Sequence, residues 1–367
     1  MSAGAQTDLV VIGAGVVAAS IAFHCAQAGV QVTMLTPGGS DEATATQTAG
    51  AFRTYFPGKV HDSELVARSL AEFRAFGRMV GADLAVTATD MLVVADGEPE
   101  LAALAAELPD QRAVGVRARL LSAAQAAQRN PWLDPATIAG AVLCPQFIRL
   151  RADRVFGGYL DAARRLGARV VTGVGITGID AATGRVETAA GAVTAGSVVL
   201  AAGADSTGLA ASAGLELPVW AQFAELFRLG PVGPDAASAP FTFHAAAGLK
   251  TMGMSDSFLV GLERLSTESG RRDEWRRSAA SQVHRRYPRL AGHQLVSAWT
   301  GALDATASTT AVIGRAGGRV LAAAGFTGHE LAQAPMAGQL VRDLHLGRHP
   351  AVDPAPFAPR DGARHAA

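Results

Sequence analysis

Lysine is nearly absent. Of 32 basic residues only Lys59 and Lys250 are lysines, and the rest are arginines. Surface lysine is readily exchanged for arginine, whereas a lysine doing chemistry is not, so both survivors draw attention. Excess charge is missing too: 32 basic residues balance 32 acidic ones. That gives no basis for nucleic-acid binding or for adhesion to an anionic membrane. Cysteine is scarce, with Cys25 and Cys144 alone, which excludes a disulfide framework and a zinc spacing. Cys25 falls in an apolar helical pattern and Cys144 in a strand-like run, so both read as packing residues. No uninterrupted apolar run reaches the ~18 residues a membrane span needs. The start of the chain lacks the basic residues of a signal peptide, and Gly13 and Gly15 break its apolar stretch, so a cytoplasmic location is expected.

What remains is a chain of 367 residues, 49% hydrophobic and 17% charged, long enough for two domains with well-buried cores. Residues 8–12 form an apolar, β-branched run with the length of a buried parallel strand. An alanine-rich helix follows to about Gly29, and residues 31–35 read as a second strand. Further helices are expected at about 63–80, 99–132, 151–166, 270–287 and 335–346. Residues 168–201 and 216–262 read as strand-rich, 320–324 as a late strand, and the tail after His349 as extended.

The βαβ opening carries Gly13-x-Gly15-x-x-Ala18. Gly13 permits a tight turn, Gly15 lets backbone approach a pyrophosphate, and Ala18 allows close helix–strand packing, with Val16 and Val17 opening the helix that faces the phosphates. A bound dinucleotide is the expectation. The second strand ends in Thr36 rather than the usual acidic residue, so Thr36 offers a hydroxyl to the ribose, or Asp41 or Glu42 substitutes.

Later segments point to which dinucleotide. Residues 198–204, Val-Val-Leu-Ala-Ala-Gly-Ala, resemble the second adenine-side motif of FAD oxidoreductases through Ala202 and Gly203. Gly325-Phe326-Thr327-Gly328-His329 resembles the C-terminal flavin turn of FAD-dependent amine and amino-acid oxidases of the glycine oxidase and monomeric sarcosine oxidase type. Thr48-Ala49-Gly50-Ala51-Phe52-Arg53 sits where that family runs its chain along the isoalloxazine, and Ile176 where its backbone meets adenine. The motifs occur in the family's order over almost the whole chain.

The resemblance implies an α/β fold: a Rossmann-like FAD-binding domain (1–85, 145–215 and 295–367) and a substrate-binding domain on an antiparallel sheet (86–144 and 216–294), the glutathione reductase-type 2 fold. It implies an FAD-dependent oxidase acting on a C–N bond beside a carboxylate, in glycine or, preferentially, a larger N-substituted glycine. The imine hydrolyses to glyoxylate and the free amine, and O2 becomes hydrogen peroxide. Arg53 is the expected carboxylate anchor, the alternative being a pair with a surface acid or the flavin phosphate. Lys250, in Gly248-Leu249-Lys250, matches the family's oxygen-activating lysine. The family's histidine four residues on is Met254 here, His244 reads as a structural histidine, and His329 as a residue that orders its turn. Two family carboxylate anchors are missing: one matching position is Ala332, and Trp299-Thr300-Gly301 is followed by Leu303-Asp304. Arg53 therefore acts alone or with Tyr55 or Arg315. The small Ala332 leaves room for a bulky substituent, and the composition is similar to that of relatives in actinobacterial macrolactam biosynthesis that release an amino acid from an N-carboxymethyl precursor. No cysteine follows Cys144, so the FAD is expected to be noncovalent. No metal is expected, and the chain is read as a monomer or homodimer. A dehydrogenase reducing a quinone, or a noncatalytic FAD-binding subunit of a larger oxidase, are the alternatives; a nicotinamide enzyme would share only the opening motif.

Overall fold

The computed structural model describes residues 5–37, 50–263, 266 and 271–359. Thr48, Ala49, Asp41 and Glu42 lie outside the described residues.

Two sheets organise the chain. In the first, Ala5–Ile12 runs parallel to Val32–Leu35 on one side and to Gly191–Leu200 on the other, with Ile12 level with both Leu35 and Leu200. Arg169–Val171 adds in parallel beyond Val32–Leu35, and Val320–Ala324 beyond Gly191–Leu200. Val312–Gly317 closes one edge antiparallel, and the hairpin Ile176–Asp180/Arg185–Thr188 pairs with the start of Gly191–Leu200. The opening strand is an unbroken apolar run because both its faces are covered. Leu9 and Val11 point to the helices, whereas Val10 and Ile12 join Val198 and Leu200 on the opposite face.

The helix Val16–Gln27 is apolar all round and buried from Val16 to Ala26, as befits a helix enclosed by others. It packs against Asp153–Arg165 and Glu330–Leu346. A buried carboxylate ties this layer together. Glu72, on Val60–Val80, meets His24 Nε2 at 3.0 Å and accepts hydrogen bonds from Tyr159 Oη at 2.5 Å and Gln339 Nε2 at 2.6 Å. Four helices thus share one acid.

The second sheet runs, in spatial order, Leu295–Ala305, Trp220–Leu229, Phe258–Leu262, Leu249–Gly253, Phe241–His244, Thr87–Ala95, Gly140–Arg149 and Ala51–Phe52. Its pairings are antiparallel except Phe241–His244 with Thr87–Ala95, which is parallel. Trp275, Ala279 and Val283 of Arg272–Arg286 pack into the core on one face, and Leu104 and Leu108 of Glu98–Ala113 into that on the other. Two strands placed by sequence on the cofactor side, Ala51–Phe52 and Leu295–Ala305, lie in this second sheet, and Gly140–Arg149 runs unbroken through Pro145 across the boundary drawn at 144/145.

Three sequence expectations need correction. Residues 99–132 are not one helix: Gly115, with φ +97°, ends Glu98–Ala113, Arg119–Ser122 pairs with the second sheet, and Ala123–Arg129 restarts behind a Ser122–Gln125 capping box. Strand pairing overrides the helical preference of an alanine-rich segment there. The last helix begins at Glu330, five residues before Pro335, because Leu331, Ala332 and Ala334 are buried in the core and hold the turn despite the proline. The tail contains a short 3-10 turn, Ala355–Phe357, whose Phe357 is 2% exposed.

Candidate active site

The parallel pairings bring the carboxyl ends of the central strands to one edge of the first sheet, the place where such sheets bind ligands. Gly13, Thr36 and Gly325 follow directly on those ends, and Ala202 and Gly203 lie two and three residues after Leu200. Gly13 has φ +157°, and a Cβ on it would fall 2.1 Å from the Ala201 carbonyl oxygen, so only glycine permits this close approach to the end of the neighbouring strand. Gly15 begins the helix with no side-chain cap and open space where a Cβ would stand. Backbone N–H groups and the positive end of the helix dipole face that space. Thr36 is 4% exposed, and its Oγ1 has no hydrogen-bond partner. Val174 N donates to the Thr36 carbonyl, so Ile176 follows two residues after a direct bond to the second strand's end.

At the other end of that edge stands the turn Gly325–His329. Gly325 has φ +75°, and a Cβ would lie 2.4 Å from Thr306 Cγ2. Its N–H donates to Asp304 Oδ2 at 2.6 Å, while Thr327 N donates to the Asp304 carbonyl at 2.8 Å. Thr327 itself is held at φ +54°, a costly conformation for a β-branched residue that persists where the surroundings impose it, often at functional sites.

Two cavities open against this turn. The larger, about 510 Å³, is lined by Lys250, Glu263, Trp299, Gly328, His329 and Ala332 among others. The smaller, about 230 Å³, is lined by Arg53, Lys250, Phe147, Phe241, Met252 and His329 among others. They share Ala51, Phe52, Leu226, Lys250, Gly261, Gly328 and His329. Arg53 is 8% exposed, and its guanidinium lies between the Phe56 and Phe243 rings, 4.6 and 4.7 Å from their centroids. Arg53 Nη2 donates to Glu263 Oε1 at 3.0 Å, and Lys250 Nζ lies 3.1 Å from the same oxygen. Arg53 Nε and Nη1 have no partner.

The family model described as FAD dependent oxidoreductase matches residues 8–344. The chain belongs to this family. The glycine oxidase of Geobacillus kaustophilus (strain HTA426) is 25% identical over 370 residues, 96% of each chain. Two solved structures share the fold. L-proline dehydrogenase from P. horikoshii has a TM-score of 0.82 at 20% identity over 97% of each chain. Glycine oxidase from Geobacillus kaustophilus has a TM-score of 0.77 at 22% identity over 98% of this chain and 99% of that one.

As an FAD-dependent oxidoreductase the chain binds FAD, and its residues suit that cofactor. The close approach at Gly13, the uncapped helix start at Gly15 and the unpartnered Thr36 hydroxyl are what a dinucleotide needs. The electrostatics of the oxidoreductase's cavity wall follow from burial and from the two cations. His329 stays neutral well below its ordinary value, through burial and then the charges of Arg53 and Lys250. Its ring meets Phe56 edge-on at 4.9 Å. Burial lowers the Lys250 pKa, and Glu263 opposes the shift. Burial alone would raise Glu263, but Lys250 and Arg53 hold its carboxyl down at about 2. Glu330, in the first turn of the last helix, is pushed up to about 7 by burial and by Asp304.

Some candidates are elsewhere. Tyr55 is fully buried, donates to Glu107 and lines neither cavity, because its side chain turns into the core beneath the second sheet. Arg315 sits on the edge strand of the first sheet and donates to the Leu344 carbonyl, so it cannot help Arg53. Lys59 donates to the Ser308 carbonyl at 2.7 Å and to Thr309 Oγ1, a strap between Val60–Val80 and the turn after Leu295–Ala305. His244 is buried against Tyr287 Oη at 3.0 Å and Asp96 at 3.4 Å, in keeping with its structural reading. Cys25 and Cys144 are both buried, and burial raises their thiols to about 12 and about 11. Among the described residues no His, Cys, Asp and Glu cluster could hold a metal, and no helix is long and apolar enough to cross a membrane.

Sequence reasoning missed Glu263, Phe56 and Phe243. Glu263 follows a strand, Phe258–Leu262, whose Gly261 pairs with Lys250. Only that register reveals an acid beside the lysine.

Proposed function

We propose that this flavoenzyme oxidises the C–N bond of glycine or, in preference, of a larger N-substituted glycine to an imine. The imine hydrolyses to glyoxylate and the free amine, and O2 is reduced to hydrogen peroxide. The observation that carries this reading is Arg53: a guanidinium more than nine-tenths buried, clamped between two rings, with two nitrogens unpartnered, on the wall of a cavity that also meets the Gly328–His329 turn. A guanidinium so placed is suited to a carboxylate.

FAD, when bound, supplies the hydride acceptor. Arg53 binds the substrate carboxylate and fixes the orientation of the neighbouring carbon. Neutral His329 adds no charge against the amine and orders the turn. Lys250, ion-paired with Glu263, provides a fixed cation on the cavity wall, which favours electron transfer to O2 as negative charge develops. Ala332, 1% exposed in the wall of the larger cavity, presents only a methyl group, which suits a bulky N-substituent.

The test is anaerobic mixing of the yellow protein with glycine, sarcosine and larger N-substituted glycines. Bleaching by at least one, with glyoxylate and, after air, peroxide as products, is the expected result. Bleaching without peroxide would replace O2 by another acceptor. No bleaching by any amine would refute the reading. Acid denaturation should release the flavin into solution, as noncovalent binding requires.

A further inference from the structure

Glu263 has no part in the reading above beyond holding Lys250, yet it decides the charge of the cavity. Its single oxygen Oε1 takes both cations, Arg53 at 3.0 Å and Lys250 at 3.1 Å. Two positive groups and one negative leave one uncompensated positive charge. Among the described residues, the other ionisable groups nearby leave that count unaltered below about pH 7. Lys59 is bound to Ser308 and Thr309 and faces Asp62, which offsets it. Glu225 is engaged by Thr300 and Arg272. His329 is neutral, and Glu330, raised to about 7, is protonated below that pH and subtracts from the positive charge above it.

The strand register places an apolar floor directly beyond the cations. Phe243 pairs with Lys250, and both residues point to the same side as Arg53. Two residues along, about 7 Å away at the usual strand rise, Phe241 and Met252 occupy the next row on that face. Phe147 stacks flat on Phe241, ring centroids 4.5 Å apart and planes within 7°. Gly261, opposite Lys250, contributes no side chain that would divide the two rows. The 230 Å³ cavity therefore offers charge in one row and aromatic surface in the next. Placing a second carboxylate against the aromatic row would strip it of water without a partner, and placing it beside Arg53 and Lys250 would set it against Glu263.

We infer that Glu263 is a specificity-determining residue that restricts the substrate to an amine with one carboxylate and an apolar substituent, and rejects amines with two carboxylates. The inference rests on the amine-oxidising reading and narrows it, setting N-alkyl and N-arylalkyl glycines above iminodiacetate or an N-carboxymethyl amino acid.

The experiment, run below the Glu330 value of about 7, compares hexanoate with adipate, unreactive acids of equal length, by calorimetric titration of the holoenzyme and of Glu263→Gln. Wild type should bind hexanoate at least tenfold more tightly than adipate, and Glu263→Gln should shrink that ratio at least tenfold (~) by leaving both cations uncompensated. An unchanged ratio would overturn the inference. Should Glu263→Gln not fold, Lys250→Met serves: it leaves the site neutral, so hexanoate affinity should fall at least tenfold (~), and unchanged affinity would overturn the charge count. Anaerobic reduction by N-pentylglycine and by iminodiacetate separates the two readings. Equal bleaching by both keeps amine oxidation and refutes the role of Glu263. No bleaching by either, nor by glycine or sarcosine, with the hexanoate preference intact and lost in Glu263→Gln, refutes amine oxidation and upholds the charge selection.

Discussion

Replacing Arg53 by methionine tests the carboxylate anchor most directly. The side chain is 8% exposed, stacks between Phe56 and Phe243, and leaves Nε and Nη1 available for an incoming acid. Methionine is of similar length and fills the slot between the rings, so packing is largely kept while charge and donors are lost. Truncating one partner of a buried charged pair costs about 2–5 kcal/mol, which is roughly 30-fold to a few thousand-fold in kcat/KM. Arg53→Lys should lie between the two, since it keeps a charge but loses the flat stack and the forked donors. The assay is steady-state peroxide production with the best amine, alongside flavin content and melting temperature to show that the cofactor site survives. If Arg53→Met retained wild-type kcat/KM within about threefold, with full flavin content, the assignment would fail, because no lost charge pair of this kind is so cheap.

Lys250→Met should slow reoxidation of the reduced enzyme by O2 at least tenfold (~) while leaving anaerobic reduction within a factor of about three; stopped-flow absorbance separates the two, and equal effects on both steps would exclude an oxygen-specific role. Glu72→Ala strands the buried His24, Tyr159 and Gln339 groups and should cost about 3–5 kcal/mol, seen as melting roughly 5–10 °C lower; a shift below about 2 °C would mean the four helices do not depend on this acid. Glu330 has a folded-state pKa raised from 4.5 to about 7. Its neutral form is the one the fold favours, so this group's contribution to stability is complete below the unfolded value and is lost as pH rises from 4.5 towards about 7. Glu330→Gln should flatten that decline in pH-dependent denaturant titrations, and an unaltered slope would remove Glu330 as its source.

The cofactor half of the site was legible in the primary structure because it is built from local rules. Strand, glycine turn and helix follow one another within residues 5–27, so the spacing of Gly13 and Gly15 between strand and helix is visible in one short segment. Gly325 to His329 was likewise legible as one contiguous motif, and FAD followed from the resemblance of such segments, in their order, to the family. The substrate half depended on what distant strands bring together. Arg53 and Glu263 are separated by 210 residues and meet only in the folded chain, where the pairing of Lys250 with Gly261 also brings Glu263 beside the lysine. Tyr55, two residues from Arg53 in sequence, turns into the core and is bound to Glu107. The helix expected over 99–132 was broken by a strand whose partner lies at 140–143, a contact with no signature in the alanine-rich segment itself. Local backbone chemistry thus pointed to a dinucleotide and resemblance to the family named it, whereas the charge and shape presented to the substrate were settled by sheet register, because side chains from remote segments acquire neighbours only once the strands align.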